Sequence, residues 1–262
     1  MIHDAEKGKW VVFRDPRAIV AADSPGEVLP ALGILERRVE EEGLTAAGYL
    51  SYEAAPAFDR SLTVRHRPSS SVPLLRFGLY ASGEALDEPP PAPPGAFSAG
   101  RWIPDVDRRD YDRAIACVKR RLERGDTYQV NYTMRMRAPF RGNDYSFFLG
   151  LAASQGAAYA AYIDAGSFAI CSASPELFFR LDGARIRTRP MKGTAPRGRT
   201  LEEDEERSAG LRESGKERAE NVMIVDMVRN DLGKIAAPGS VRVLRLFETE
   251  RYPTLWQMTS TV

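Results

Sequence analysis

Four side chains carry most of the chemical interest of this sequence: Glu176 and Lys192 in one stretch, Glu217 and Glu220 in another. A lysine without its extra proton is a nucleophile, a protonated carboxyl is a general acid, and a pair of carboxylates can seat a hard divalent cation. Other residue types leave little competition. Only two histidines, His3 and His66, and two cysteines, Cys117 and Cys171, are present, and the cysteines lack CxxC spacing. Imidazole chemistry, a cysteine zinc site and a disulfide framework are therefore poor readings.

The elements that must position Glu176 and Lys192 are local. Residues 177–181 and 184–188 read as strands joined by Asp182-Gly183, a two-residue hairpin signal. With that turn, Leu181 faces Ala184, and counting outward sets Glu176 opposite Arg189 with Lys192 just beyond. Strands lie about 4.8 Å apart, and Pro190 and Gly193 should bend the outgoing one, so one small substrate could reach both groups. A plainer account has Glu176 bonded to Arg189 across the strands and Lys192 merely solvated. Spacing leaves both open.

Ser214-Gly215-Lys216-Glu217 fits a capping box, and the run to Leu232 followed by Gly233 fits a helix with its stop. Glu217 and Glu220 share one face of it. Like charges at that spacing cost a helix about 0.2–0.5 kcal/mol, which invites a compensating cation. Mg²⁺ suits the role, because it prefers carboxylate oxygens and keeps waters that an anionic substrate can replace. The competing account closes the capping box with Glu217 and pairs Glu220 with Lys216 one turn earlier. Asp226, Arg229, Asn230 and Asp231, after the apolar stretch 222–225, could equally form surface pairs.

Composition frames these candidates. The 262 residues are 43% hydrophobic and 28% charged, enough for a folded core. Lys and Arg number 37 against 36 Asp and Glu, a net charge of +1, so no bulk field favours nucleic acid or an anionic membrane. The N-terminus is charged, and the apolar run 156–163 ends at Asp164, short of the roughly 20 residues a span needs. A cytoplasmic location is the expectation. The proline run from Glu88 to Gly95 suggests a boundary, giving an N-terminal subdomain at 1–95 and part of a catalytic domain at 96–262.

Within the first part, 10–13 and 47–52 read as strands and 25–42 as a helix. Within the second, Asp107 can cap a helix carrying Tyr111, Ile115, Val118 and Leu122, with Gly125 as its stop. Residues 128–136 then alternate. That predicts a strand with Tyr128, Val130, Tyr132, Met134 and Met136 on a buried face and Gln129, Asn131, Thr133 and Arg135 on the other. Residues 157–163 and 168–172 are further strand candidates, and hairpin-paired strands with helices between groups indicate an α+β fold.

Several segments together resemble the chorismate-utilising enzymes, a family that includes anthranilate synthases and aminodeoxychorismate synthases. They are Gly125-Asp126-Thr127-Tyr128-Gln129-Val130-Asn131, Ser174-Pro175-Glu176-Leu177-Phe178, Pro190-Met191-Lys192-Gly193-Thr194, and Lys216 through Asn221 continuing to Arg229-Asn230-Asp231-Leu232-Gly233, all in family order. The likeness runs from about 101 to 262, with a looser match at Gly48-Tyr49-Leu50-Ser51-Tyr52-Glu53. It implies antiparallel sheets packed in a sandwich with helices outside. Lys192 favours the aminodeoxychorismate branch, since anthranilate synthases typically have alanine there. Gln129 stands where isochorismate and salicylate synthases carry a water-activating lysine, and glutamine is a poor base.

The resemblance further implies roles. Mg²⁺ on Glu220, supported by Glu217, would bind the ring carboxylate of chorismate close to Gly193 and Thr194, with Gln257 and Gln129 also facing the substrate. Lys192 would attack the ring and Glu176 would protonate the departing hydroxyl, neutral forms that a closed apolar pocket favours. Ammonia, from a separate glutamine amidotransferase subunit, would then displace the lysine. Gln257 replaces a histidine found in many relatives, so a cationic contact is lost there while a hydrogen bond remains available. Family members usually continue past the segment matching 254–260, through a Gly-Ser-x-Thr-Gly-Ala-Pro-Lys motif and a second acidic pair. The expectation is thus a chain lacking the C-terminal part of the domain, with apolar surface uncovered.

Overall fold

The computed structural model describes residues 1–65, 72–93, 95–156 and 158–262. His66, Pro94 of the proline run and Ala157 of the expected strand lie outside them. Close contacts divide the chain into two compact units: Met1–Pro90 with Phe148–Val262, and Pro91–Phe147. One seam falls within the proline run; the other falls near Phe148. The segment before residue 95 is joined to later strands by pairing, since Ile2 lies opposite Ala161 in an antiparallel ladder.

In the larger unit, helix α1 (Pro25–Glu42) begins where Glu27 accepts the Ser24 N–H at 3.1 Å, and ends at Gly43, whose φ of 62° suits the left-handed C-cap. It covers a three-stranded antiparallel sheet, Ala18–Ala22, Leu75–Tyr80 and Thr45–Leu50, with Leu75–Tyr80 central. Val28, Ala31 and Leu35 of the helix meet Ala22, Leu75 and Leu79 of the sheet in the main apolar core. A five-stranded antiparallel sheet follows the order Ala169–Ser174, Tyr159–Asp164, Ile2–Asp4, Lys9–Val12, Glu84–Leu86.

The site-bearing region contains the hairpin Leu177–Asp182 with Arg185–Arg189, and a three-stranded antiparallel sheet of Met191–Pro196, Leu255–Thr261 and Arg245–Arg251, with Leu255–Thr261 central. Reciprocal hydrogen bonds between Thr188 and Val262, of 3.0 and 3.1 Å, tie hairpin to sheet.

The hairpin departs from the expected register. Asp182 pairs with Arg185 and Leu181 with Ile186, so the loop residues are Gly183 and Ala184, with Gly183 at φ 56°. A shift between Leu177 and Arg180 then sets Leu177, rather than Glu176, opposite Arg189. The Asp-Gly signal marks a turn without fixing which two residues form it, and a bulge leaves no local trace.

The smaller unit holds helix α2 (Arg108–Glu123), capped as expected by Asp107, whose carboxylate accepts the Asp110 N–H at 2.7 Å. Phe97–Ala99 pairs with Phe140–Gly142, and Ile103–Pro104 with Met136–Arg137. The strand expected over 128–136 is present only as Met136–Arg137. Alternation supplies faces but no partner ladder: the Arg135 N–H bonds the Asp105 carboxylate, and its C=O takes the Asp105 N–H. The supposedly buried face is open, with Tyr128 61% exposed and Val130, Met134 and Met136 also exposed. Helix α3 (Asp144–Gln155) leads back to the larger unit. Helices α4 (Leu201–Glu213) and α5 (Gly215–Gly233) pack on the three-stranded sheet. No helix among the described residues is long and apolar enough to cross a membrane. Large apolar side chains do stand in the open, Phe178 at 84% exposure among them.

Candidate active site

Lys192 lies in Met191–Pro196, whose pairing with the central strand slips by one residue: Met191 faces Thr259 while Thr194 faces Gln257. Lys192 and Gly193 therefore share Met258 as their partner. Such a bulge unpairs one residue and re-aims its neighbour's side chain. Gly193 makes it feasible. Its φ is 93°, and a Cβ there would sit 3.2 Å from Glu217 Oε2 and 3.2 Å from Met258 Cβ. The missing side chain lets a carboxylate of α5 press against the lysine-bearing strand.

Glu176 reaches the same strand from the hairpin. Its backbone is held by Ser174, whose Oγ accepts the Glu176 N–H at 3.2 Å, and its Oε1 accepts the Met191 N–H at 3.4 Å. The anticipated Glu176–Arg189 pair does not form, because Arg189 donates instead to Glu250 Oε2 at 3.0 Å. Glu176 is exposed and Lys192 half-buried. The apolar enclosure expected around the two is thus open on the Glu176 side.

On α5, Ser214 Oγ accepts the Glu217 N–H at 3.4 Å, one half of the capping box. The Glu217 side chain points elsewhere, to Gly193. Lys216 Nζ stands 3.4 Å from Glu217 Oε1 and 3.7 Å from Glu220 Oε1, so its ammonium bridges the two acids. Its hydrogen bond to Glu217 and the charges of both carboxylates push the Lys216 pKa up. Pairing of Glu220 with Lys216 and placement of Glu217 beside Gly193 therefore coexist. Farther along α5, Arg229 pairs with Asp226 and Lys234 with Asp231, each at 2.9 Å, as the surface account anticipates.

Thr194 and Gln257 meet directly, Thr194 Oγ1 donating to Gln257 Oε1 at 2.9 Å. Gln129 belongs to the smaller unit, where its Oε1 is shut from water without a hydrogen-bond partner among the described residues. The structure thus gathers Glu176, Lys192, Gly193, Thr194, Gln257 and Glu217 around one bulged strand, with Glu220 linked to Glu217 through Lys216. No group of three or more His, Cys, Asp and Glu side chains is assembled for a metal among the described residues.

One clasp went unread in the sequence. Arg197 Nε and Nη2 grip Asp204 at 2.8 and 2.6 Å, and Trp256 Nε1 and the Gly198 N–H add bonds of 2.9 and 2.8 Å to the same carboxylate. Asp204 is 5% exposed, and the Arg197 bonds hold its pKa far below the usual carboxylate range. The clasp joins the end of the lysine-bearing strand to Trp256, the neighbour of Gln257. An Arg-Gly pair ahead of an acidic helix start was its only local signal.

The mixed helices and antiparallel sheets that carry these residues are those of the chorismate-utilising fold. Residues 1–262 match the family described as chorismate binding enzyme, and the chain belongs to that family. Among its relatives, aminodeoxychorismate synthase component 1 of Escherichia coli (strain K12) is 35% identical over 210 residues, covering 80% of this chain and 46% of the relative. Anthranilate synthase component 1 of Thermus thermophilus is 32% identical over 240 residues, covering 90% of this chain and 51% of the relative. The chain thus spans about half the length of either. The crystal structure of anthranilate synthase component I from Streptococcus pneumoniae TIGR4 shares the fold, with a TM-score of 0.79 at 20% identity over 97% of this chain and 68% of that one. The resemblance read from the motifs is borne out.

Proposed function

We propose that this chain carries the aminating site of an aminodeoxychorismate synthase component I. It would convert chorismate and ammonia to 4-amino-4-deoxychorismate in cytoplasmic para-aminobenzoate and folate synthesis, the ammonia coming from a glutamine amidotransferase subunit. The observation that carries this reading is the 3.4 Å bond from the Met191 N–H to the Glu176 carboxylate, which sets an acid beside Lys192.

In the proposed reaction, the neutral Lys192 amine forms a C–N bond to the ring carbon next to the carboxylate-bearing carbon. The diene electrons shift, the allylic C–O bond breaks, and Glu176 gives its proton to the departing oxygen, releasing water. Ammonia attacks the carbon that lost oxygen, the electrons shift back, and the bond to Lys192 breaks. Glu176 is reprotonated by the proton surplus of the incoming ammonia, and the catalyst is restored.

The carboxylates of Glu217 and Glu220 fit Mg²⁺, a hard ion that commonly binds through one or two carboxylates together with waters and substrate oxygens. When bound there, Mg²⁺ would neutralise the ring carboxylate of chorismate. Gly193 lets the Glu217 carboxylate close on the lysine-bearing strand, and Thr194 and Gln257 carry hydrogen-bonding groups on the same strand pair.

A second reading, anthranilate synthase component I, is favoured by the 32% identity to the Thermus thermophilus protein over 90% of this chain. Lys192, in place of the alanine typical of that branch, argues against it. Incubation with chorismate, Mg²⁺ and ammonium, followed by mass-spectrometric product analysis, separates the two. Aminodeoxychorismate supports the proposal and anthranilate supports the alternative. Chorismate binding without turnover would instead mark a silent chorismate-binding scaffold.

A further inference from the structure

Phe247 adopts φ 58°, a left-handed conformation that costs a bulky side chain energy and persists only where its surroundings enforce it. The cause is a second bulge, in the edge strand Arg245–Arg251 where it pairs with the central strand. Arg245 faces Thr261 and Glu248 faces Thr259, so Leu246 and Phe247 together oppose Ser260. Pairing resumes from Glu248 to Arg251, so the bulge does not end the strand. It turns Phe247 toward α5 instead.

Two contacts receive it there. The Arg218 guanidinium lies over the Phe247 ring, 4.5 Å from its centroid. The Phe247 N–H donates to Ser260 Oγ at 3.2 Å, and the Ser260 hydroxyl donates to Asn221 Oδ1 at 2.5 Å. Such a relay polarises each bond in turn. Ser260 is fully buried and Asn221 nearly so, at 1% exposure. Asn221 Nδ2, buried as well, has no partner among the described residues, a cost an apolar residue would not incur. Asn221 is held for its single bond to Ser260. Meanwhile the Ser260 N–H donates to Pro190 O at 3.1 Å, on the run that leads to Lys192. One serine therefore touches three elements: the bulged strand, α5 beside Glu220, and the approach to Lys192.

We propose that the Phe247 bulge, Ser260 and Asn221 form a joint that positions the Glu217 carboxylate against the Lys192–Gly193 bulge, with Glu220 held one turn further along the same helix. This rests on the reading of those carboxylates given above. Asn221 follows Glu220 directly and lies one turn after Glu217, while Arg218 sits between the acids, so both contacts of the joint bear on the turns that carry them. All three are positioning residues and touch no substrate.

Amide exchange followed by mass spectrometry tests the joint without reference to turnover. In Asn221→Ala and in Ser260→Ala, segments 190–196 and 214–224 should exchange about tenfold faster, with no further gain in the double variant. The sheet segment 75–80 should stay protected, which shows the fold intact. Phe247→Gly, which accepts the left-handed backbone but lacks the ring, should loosen 214–224 as well. Unchanged exchange in both segments overturns the joint. Calorimetric Mg²⁺ titration with chorismate present then tests its purpose: affinity should fall about 10–100-fold in the single variants, with chorismate KM nearly constant. Faster exchange with wild-type Mg²⁺ affinity overturns the positioning role. A wild-type protein that forms no aminodeoxychorismate defeats the proposed function instead, and exchange alone then decides the joint.

Discussion

The Glu176 carboxylate accepts the Met191 N–H at 3.4 Å, which brings an acid on one strand pair to the residue preceding Lys192 on another. The bond constrains Glu176 without using its second oxygen, leaving that oxygen for a proton and a leaving group. Lys192 lies in a bulge where it shares Met258 with Gly193, so its direction is not set by ordinary ladder alternation.

Lys192→Ala should therefore remove chorismate amination, by about a thousandfold or more, since the covalent step loses its nucleophile. The half-buried side chain contributes little core, and the melting temperature should change little. Aminodeoxychorismate formed at the wild-type rate would reject the nucleophile assignment.

Glu176→Gln keeps a carbonyl oxygen to accept the Met191 N–H but cannot supply the acid's proton. Turnover should drop about 10²–10⁴-fold with chorismate KM nearly unchanged. A KM effect without loss of kcat would make Glu176 a binding group rather than an acid.

Much of this arrangement was legible wherever the signal was local. Helix α1 runs over the 25–42 stretch read from its periodicity, and Asp107 caps α2 as its position suggests. Glu217 and Glu220 on one helical face follow from their spacing alone. The failures share a cause in non-local pairing. The turn at Gly183–Ala184 carries Glu176 away from Arg189, the slip at Leu177–Arg180 brings the register back by only one residue, and nothing in the hairpin sequence marks either. The 128–136 alternation calls for a ladder that the described residues provide only at Met136–Arg137. Asp204 finds Trp256 across 52 positions, and Asn221 finds Ser260 across 39, distances at which no sequence period operates.

Lys216 acts as the internal counterion of the acid pair. Lys216→Gln should slightly lower stability without Mg²⁺, because the like-charged Glu217 and Glu220 lose their shared cation, and Mg²⁺ should restore it. Apparent Mg²⁺ affinity should rise, because the ion no longer competes with the ammonium. Thermal melts with and without Mg²⁺ check both, and an unchanged Mg²⁺ response would detach Lys216 from the site.

Acid stability should report the Asp204 clasp. The folded carboxyl titrates well below its unfolded value of about 3.9, so the unfolded chain takes up the proton more readily. The stabilisation is complete above that value and is lost as pH falls below it toward the folded pKa. Asp204→Asn should reduce stability near neutrality and flatten the acid limb below about pH 4, read from denaturant midpoints at each pH. An acid limb as steep as the wild type's would assign it to other carboxylates.

Gly193→Ala tests the contact on which the whole site converges. The residue sits at φ 93°, where a Cβ is strained in any surroundings, and the added methyl would stand 3.2 Å from both Glu217 Oε2 and Met258 Cβ. Two responses are open to the protein. If the backbone holds, α5 must retreat and the Glu217 carboxylate moves away from Lys192; if the helix holds, the bulge must flatten and Lys192 swings out of aim. Either response costs about 1–3 kcal/mol, and either separates the nucleophile from the carboxylate pair. Stability should fall by that amount while activity falls much further than the residual folded fraction explains. Gly183→Ala, at φ 56° but with nothing within 4 Å of its Cβ, is the matched control: it carries backbone strain of similar origin and should leave turnover per folded molecule unchanged. Equal losses of turnover per folded molecule in the two variants would mean that backbone strain alone, and not the Gly193–Glu217 contact, governs the effect.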